Sequence, residues 1–356
     1  MDSTDSVFGC TNEVQGGELT PVGDVLVGLD SGRIILPRLI ADAGEQAGER
    51  FVEFFTAKIR NPNTRRAYGR AVADFCAWCD EKGLRLDQLR TVHLAAYAEI
   101  LTRSYAAPTA KQRLAALRMF FDWLVVGQVV GQNPAAAVRG PKHVVKKGKT
   151  PVLTADETRI LLDSIPLKIG PEPGPGEEDK RPPSLIGLRD RAIIATMAYS
   201  FARVGAMISM RVEDYYTQGR RGWLGLHEKG GKRHEMPAHH NLEAYIDAYI
   251  QAAGIEDDRK GVLFRSNPGW KDRLTENPMR QPDVWRMIRR RAKKAGIKTL
   301  IGCHSFRATG ITVYLENGGT LERAQAMANH ESPKTTKLYD RTSDQITLDE
   351  VERIVI

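Results

Sequence analysis

Apolar residues recur at three- and four-residue steps through much of this chain, and that period predicts helices. From Phe51 onward Tyr68, Val72, Phe75, Cys76 and Cys79 fall on one face, behind Asn63-Thr64 as the expected cap. A second helix is expected over 89–102, with Leu94, Tyr97 and Leu101 inward. A third is expected from Thr109, where Thr109 and Gln112 have capping-box spacing ahead of Leu114, Leu117, Phe120, Phe121 and Leu124. The stretch 139–149 is short, basic and broken by Gly140-Pro141, so it reads as an extended linker. Beyond it, Thr154 and Glu157 form another capping box, 166–183 is rich in Pro, Gly and Glu, and helix resumes over 185–201. Residues 222–228 and 233–237 read as two strands around the Lys229-Gly230-Gly231-Lys232 turn, with helices over 243–251, 282–295, 305–317 and 321–328.

The expected architecture is therefore mainly α with a small antiparallel sheet, in two domains, as 356 residues suggest. The parts are a loosely structured acidic arm at 1–48, with one short element at 33–39, a helical domain at 49–138, a basic linker at 139–152, a second domain at 153–341 and a tail helix at 342–356. In the tail, Thr347 and Glu350 repeat the capping-box spacing ahead of Val351, Ile354, Val355 and Ile356.

Charge turns this outline toward a polyanion. The chain carries +8 overall, but its first 48 residues hold eight acidic and two basic side chains, which leaves about +14 on the remainder. A basic surface that displaces counterions suits nucleic acid. Arg65, Arg66, Lys111, Arg113, Lys142, Lys146, Lys147 and Lys232 are the candidate phosphate contacts. Four cysteines do not make a disulfide framework, and there is neither a leader nor an apolar run of membrane-spanning length, so a reducing cytoplasm, on the nucleoid, is expected. Cys76 and Cys79 have redox spacing but sit in a helical apolar pattern, which makes them core residues. The eight histidines are scattered, without metal-ligand spacing, and no metal or cofactor is expected.

Three separated stretches hold the candidate chemistry: Arg203 after a helix, His304-Ser305-Phe306-Arg307, and His330 followed nine residues later by Tyr339. Taken singly each is ordinary. Together and in this order they resemble the tyrosine recombinases of the phage integrase family, from about Thr64 to Arg341. The Thr64 and Tyr68 start, the Gly-Gly-Lys hairpin and Thr335-Thr336 ahead of Tyr339 match as well. The resemblance implies a two-domain clamp on duplex DNA, a helical core-binding domain of SAM-like type joined to a catalytic domain. It also implies site-specific cleavage and rejoining through a 3′-phosphotyrosyl intermediate, with double-stranded DNA as partner. Assembly would be a homotetramer on two sites, monomeric or weakly associated without DNA.

Chemistry asks for the same residue types. A phenol attacks phosphorus and stores the bond, a role for Tyr339. Arg203 and Arg307 offer forked donors to the charge that builds on the phosphate. His304, three residues before Arg307, would orient or deprotonate the incoming oxygen, and His330 stands where the family contacts the phosphate. The family's general acid is a hairpin lysine. Lys229 and Lys232 are both candidates, and the register to Pro237 favours Lys229. Ser332-Pro333 suggests that Tyr339 rides on a short helix. One departure stands out: the acidic residue that family members carry three after the first arginine is Ala206 here, and Glu213 or Asp214 is expected to supply the charge. Two rival readings share these residues, a type IB topoisomerase and a non-catalytic DNA-binding relative; a complete set of six argues against the second.

Overall fold

The computed structural model describes residues 36–143, 148–228, 231–269, 271–340 and 351–352. The chain divides into two compact units, Met1–Val144 and Val145–Ile356.

The first unit is helical: α1 (Arg38–Ala41), α2 (Glu45–Glu53), which runs into a π-helical turn over Phe54–Lys58, α3 (Pro62–Glu81), α4 (Thr91–Ser104) and α5 (Ala107–Val126). Its core is a cluster of edge-to-face rings, Phe51, Phe54, Phe55, Phe75, Phe120 and Phe121, each fully buried. Burying a phenyl side chain stabilises by about 1.5–3 kcal/mol, so these rings dominate the unit. Cys76 and Cys79 are free thiols in the same core, and burial raises both their pKa values. Three expectations need correcting. The arm does not extend to residue 48, because Leu39, Ile40 and Ala47 bury their apolar side chains in this core. The cap of α3 is Asn61, whose side chain accepts from the amides of Asn63 and Thr64, with Pro62 at the first helical position. And α5 starts at Ala107, not at Thr109, so Thr109 lies inside the helix; Pro108 in the first turn was the better signal. Residues 1–35 lie outside the described residues.

The second unit contains α6 (Ala155–Asp163), α7 (Leu185–Tyr199), α8 (Val204–Ile208), β1 (Tyr215–Gln218), β2 (Arg221–His227), β3 (Arg233–Pro237), α9 (His240–Ala253), α10 (Gln281–Lys294), α11 (Cys303–Glu316), α12 (Leu321–Met327) and α13 (Pro333–Lys337). The Thr154–Glu157 capping box forms reciprocally. The sheet has three strands, in the order β1-β2-β3, all antiparallel. Only β2 and β3 were expected; β1 is four residues long and pairs Tyr215 with Leu224. Leu224 and Leu226 point from the sheet into a core built on α7, which is buried along nearly its whole length, with Tyr249, Phe264, Ile288 and Phe306 around it.

Residues 148–152 are not linker in the structure. The Gly148 amide donates to the Leu338 carbonyl (3.1 Å), Val152 packs on the cluster around Tyr339, and a Cβ at position 148 would strike that carbonyl oxygen. Residues 144–147 lie outside the described residues, as do 341–350 and 353–356, so the expected tail helix is described only at Val351 and Glu352, which are helical.

Candidate active site

Two left-handed corners and one glycine bring the separated motifs together. At the end of α7 the Ser200 hydroxyl turns back to the Thr196 carbonyl, and Phe201 takes a positive φ of 54°. The chain thereby reverses and Arg203 becomes the residue that caps α8. After α12, Asn329 (φ 45°) makes a similar corner and delivers His330. α11 crosses α7 at Gly310, where a side chain would meet the Ala198 carbonyl and the Phe201 ring. That close approach sets His304 and Arg307, both on α11, beside the corner that carries Arg203.

Arg307 is 1% exposed and spans both corners: Nη1 donates to the Phe201 carbonyl and Nη2 to the Ala328 carbonyl. Its Nε is buried with no hydrogen-bond partner among the described residues. Burial and the neighbouring Arg203 lower its pKa to about 10. Tyr339 is buried in an apolar cluster with Phe201, Ile311 and Ala328. Its backbone is fixed on both sides, the amide to the Thr336 carbonyl and the carbonyl to the Thr312 hydroxyl, each at 2.9 Å. The phenol oxygen lies 2.6 Å from His304 Nε2, and the ring stacks with His330 at 5.8 Å and 9° between planes. His330 in turn shares a 2.9 Å hydrogen bond with the Thr336 hydroxyl through Nδ1.

The electrostatics follow from burial beside two guanidiniums. Burial raises the Tyr339 pKa above the ordinary phenol value, while Arg307 and Arg203 pull it down. His304 keeps solvent contact, yet desolvation of its ring, then Arg307 and Arg203, lowers its pKa. Burial, Arg307, Arg203 and His304 lower that of His330 to about 4. Both imidazoles are thus neutral at neutral pH.

The structure therefore unites Arg203, His304, Arg307, His330 and Tyr339; Lys229 lies outside the described residues. Tyr339 is not on a helix: α13 ends at Lys337 and the tyrosine follows in the turn, while Ser332 makes no side-chain cap. The carboxylate beside Arg203 is neither Glu213 nor Asp214. Asp214 accepts from the Arg211 amide and from His227, and Arg203 Nη1 is bound by Glu228, whose side chain is 3% exposed. Sequence reasoning missed Glu228; its place beside the Lys229 turn was the available signal.

Among the candidate phosphate contacts, Arg66, Lys111 and Lys142 are exposed. Arg113 is not a surface cation: it is buried, paired with Asp74 and stacked on Tyr105 at 4.2 Å. Arg65 folds back to donate twice to the Ile59 carbonyl. Both serve the helical unit itself. Lys232 is exposed, 3.9 Å from Glu331, and Lys146 and Lys147 lie outside the described residues. No group of three or more His, Cys, Asp or Glu side chains among the described residues could hold a metal ion, and no helix among them is long and apolar enough to cross a membrane.

A phenol against an imidazole, between two inward guanidiniums in a mostly helical unit, defines a phosphoryl-transfer site of the tyrosine-recombinase class. Comparison with known proteins agrees. Residues 178–345 match the model of the phage integrase family, and 49–127 that of the phage integrase N-terminal SAM-like domain. Tyrosine recombinase XerD of Chlorobaculum tepidum is 25% identical over 297 residues, covering 82% of this chain and 90% of that protein. XerD of Pseudomonas aeruginosa is 26% identical, with 78% and 86% covered. In fold, the chain is similar to XerH site-specific recombinase bound to its palindromic difH substrate, with a TM-score of 0.63, 16% identity and 93% of each chain covered. It is likewise similar to a lambda integrase tetramer bound to a Holliday junction, with a TM-score of 0.59, 18% identity and 90% and 87% covered. The chain belongs to the phage integrase family of tyrosine recombinases, enzymes that cleave and rejoin DNA.

Proposed function

We propose that this site-specific recombinase cuts duplex DNA with Tyr339 as nucleophile, leaving a 3′-phosphotyrosyl bond that the freed 5′ hydroxyl later reverses. The observation that carries this reading is the 2.6 Å contact between the phenol and His304 Nε2, a neutral imidazole placed to take the phenolic proton. Arg307 and Arg203 oppose the charge that develops on the non-bridging oxygens, and His330 orients the Tyr339 ring and adds a donor at the phosphate. Lys229 gives the proton to the departing 5′ oxygen.

The partner is a double-stranded recombination site met in the cytoplasm, with Arg66, Lys111 and Lys142 among its phosphate contacts. The lambda integrase neighbour is a tetramer bound to a Holliday junction, and four protomers of this chain would assemble on two such sites, linked by exchange of the tail that carries Val351, Ile354, Val355 and Ile356. Without DNA the chain would be monomeric or weakly associated.

Trapping tests the reading: the protein is mixed with nicked duplexes made from the DNA flanking its gene, and denaturant-resistant protein–DNA bands are sought. Wild type should give the adduct. Tyr339→Phe should bind equally and give none, and an adduct formed by that variant refutes the assignment.

A further inference from the structure

We infer that Glu228 is a positioning residue for the strand-transfer reaction, the carboxylate that holds Arg203 in place and ties it to the base of the β2–β3 hairpin. The inference rests on the roles proposed above for Arg203 and Lys229. Three observations support it.

The first is where the carboxylate sits. A carboxylate with only 3% of its side chain exposed is costly unless a cation answers it, and Arg203 does so directly through Nη1. The arginine side chain is 40% exposed, so one side of the guanidinium is held while the rest stays open to a ligand. A guanidinium has five N–H donors in a fixed fork, so one edge can be anchored while another meets a phosphate.

The second is the charge balance. Arg203 and Arg307 are near enough that the first lowers the pKa of the second, and Glu228 acts in the opposite direction. Before a phosphate arrives, two guanidiniums that converge on one site repel each other. Glu228 is the counter-charge that lets Arg203 remain there.

The third is the backbone. Glu228 follows the last residue of β2, its amide donates to the Lys232 carbonyl (2.9 Å), and its own carbonyl accepts from Gly231 (3.2 Å). The same residue thus forms the base of the turn and the ion pair, and fixing its side chain on Arg203 also fixes where the turn begins. Ala206, three residues after Arg203, has no charge to offer, and Asp214 is engaged with the Arg211 amide and His227.

A role of this kind separates binding from chemistry. Removing a negative charge beside a phosphate site leaves DNA affinity unchanged or tighter, while a loose Arg203 slows the chemical step. The experiment compares wild type, Glu228→Gln, Glu228→Asp and Arg203→Ala in single-turnover cleavage and in gel-shift titration on one nicked site, with thermal unfolding to check that each is folded. Glu228→Gln is expected to cleave about 10–100-fold more slowly at equal or tighter binding, by analogy with the loss of other transition-state contacts. Glu228→Asp, which keeps the charge but withdraws it by one methylene, is expected to fall between. Wild-type cleavage by a folded Glu228→Gln overturns the inference; should that variant not fold, wild-type cleavage by Glu228→Asp overturns it. An equal loss in affinity and rate would mean a structural role only, and also overturns it. Arg203→Ala separates the two levels: if that variant itself cleaves normally the proposed site fails, whereas an inactive Arg203→Ala beside a fully active Glu228→Gln defeats the inference alone.

Discussion

Gly310 is the point at which the helix carrying His304 and Arg307 crosses the helix leading to Arg203, and Gly310→Ala probes that crossing. An added Cβ would lie 2.7 Å from the Phe201 ring and closer still to the Ala198 carbonyl oxygen, where real Cβ contacts stay beyond 3.0 Å. The obstacle is backbone inside a buried helix, so it cannot swing aside, and the two helices must separate by a good fraction of an ångström. Overpacking of this sort costs about 1–3 kcal/mol. Replacing a helical glycine by alanine returns about 1 kcal/mol through propensity, which leaves a net loss of about 0–2 kcal/mol. For a unit of this size that lowers Tm by up to about 8 °C. The rate should suffer more, because a displacement of that order at reacting groups costs about 100-fold. Calorimetry on the free protein and single-turnover cleavage on a nicked site give both numbers. Gly205→Ala is the control for stability, since its Cβ would find only Gln281 Nε2 at 3.4 Å. A Gly310→Ala protein that melts at or above wild type and cleaves at the wild-type rate would refute the reasoning.

Two further outcomes follow from the site. His330 has a folded pKa of about 4 against about 6.5 for an unfolded histidine, so as pH falls the unfolded chain binds the proton first. Its contribution is whole above pH 6.5, is lost progressively between 6.5 and 4, by at most about 3 kcal/mol, and is flat below; urea unfolding across that window should show His330→Gln with the shallower slope, and equal slopes would count against the assignment. A substrate with sulfur in place of the 5′ leaving oxygen needs little protonation, so Lys229→Ala should cleave it nearly as well as wild type does; rescue of Lys232→Ala in its place would move the general acid to Lys232.

What could be read from the chain was whatever short-range physics decides. The Thr154–Glu157 box is legible because both partners lie within one turn, and the longer helices of the second unit are placed to within a few residues because their apolar period is long and regular, whereas the five-residue α8 gives no such signal. The start of α5 was missed because Thr109 and Gln112 offered a spacing that Pro108 overrode. β1 escaped because four residues, two of them tyrosines, carry no alternation to detect. Charge alone does not say which way a side chain points, so Arg113 and Arg65 read as surface cations although Asp74 and the Ile59 carbonyl hold them. The grouping of Arg203, His304, Arg307, His330 and Tyr339 was legible only through the resemblance of their order to that of the tyrosine recombinases. The partner of Arg203 was not, because Glu228 reaches it by hairpin docking across 25 positions.

Arg307 leads to a different kind of conclusion. Its two Nη groups bind the carbonyls of Phe201 and Ala328, at the corners that deliver Arg203 and His330, and it is almost wholly enclosed. The residue is a rivet of the architecture before it is a tool of the reaction. Tyr339 gives up only a hydroxyl when it becomes phenylalanine, whereas loss of Arg307 leaves two buried carbonyls orphaned and both corners unpinned. In a gene copy decaying once recombination is no longer selected, the tyrosine is therefore free to drift long before the arginine is. An intact arginine at this position marks a chain that still folds, and the presence of the tyrosine is the better sign that it still cuts.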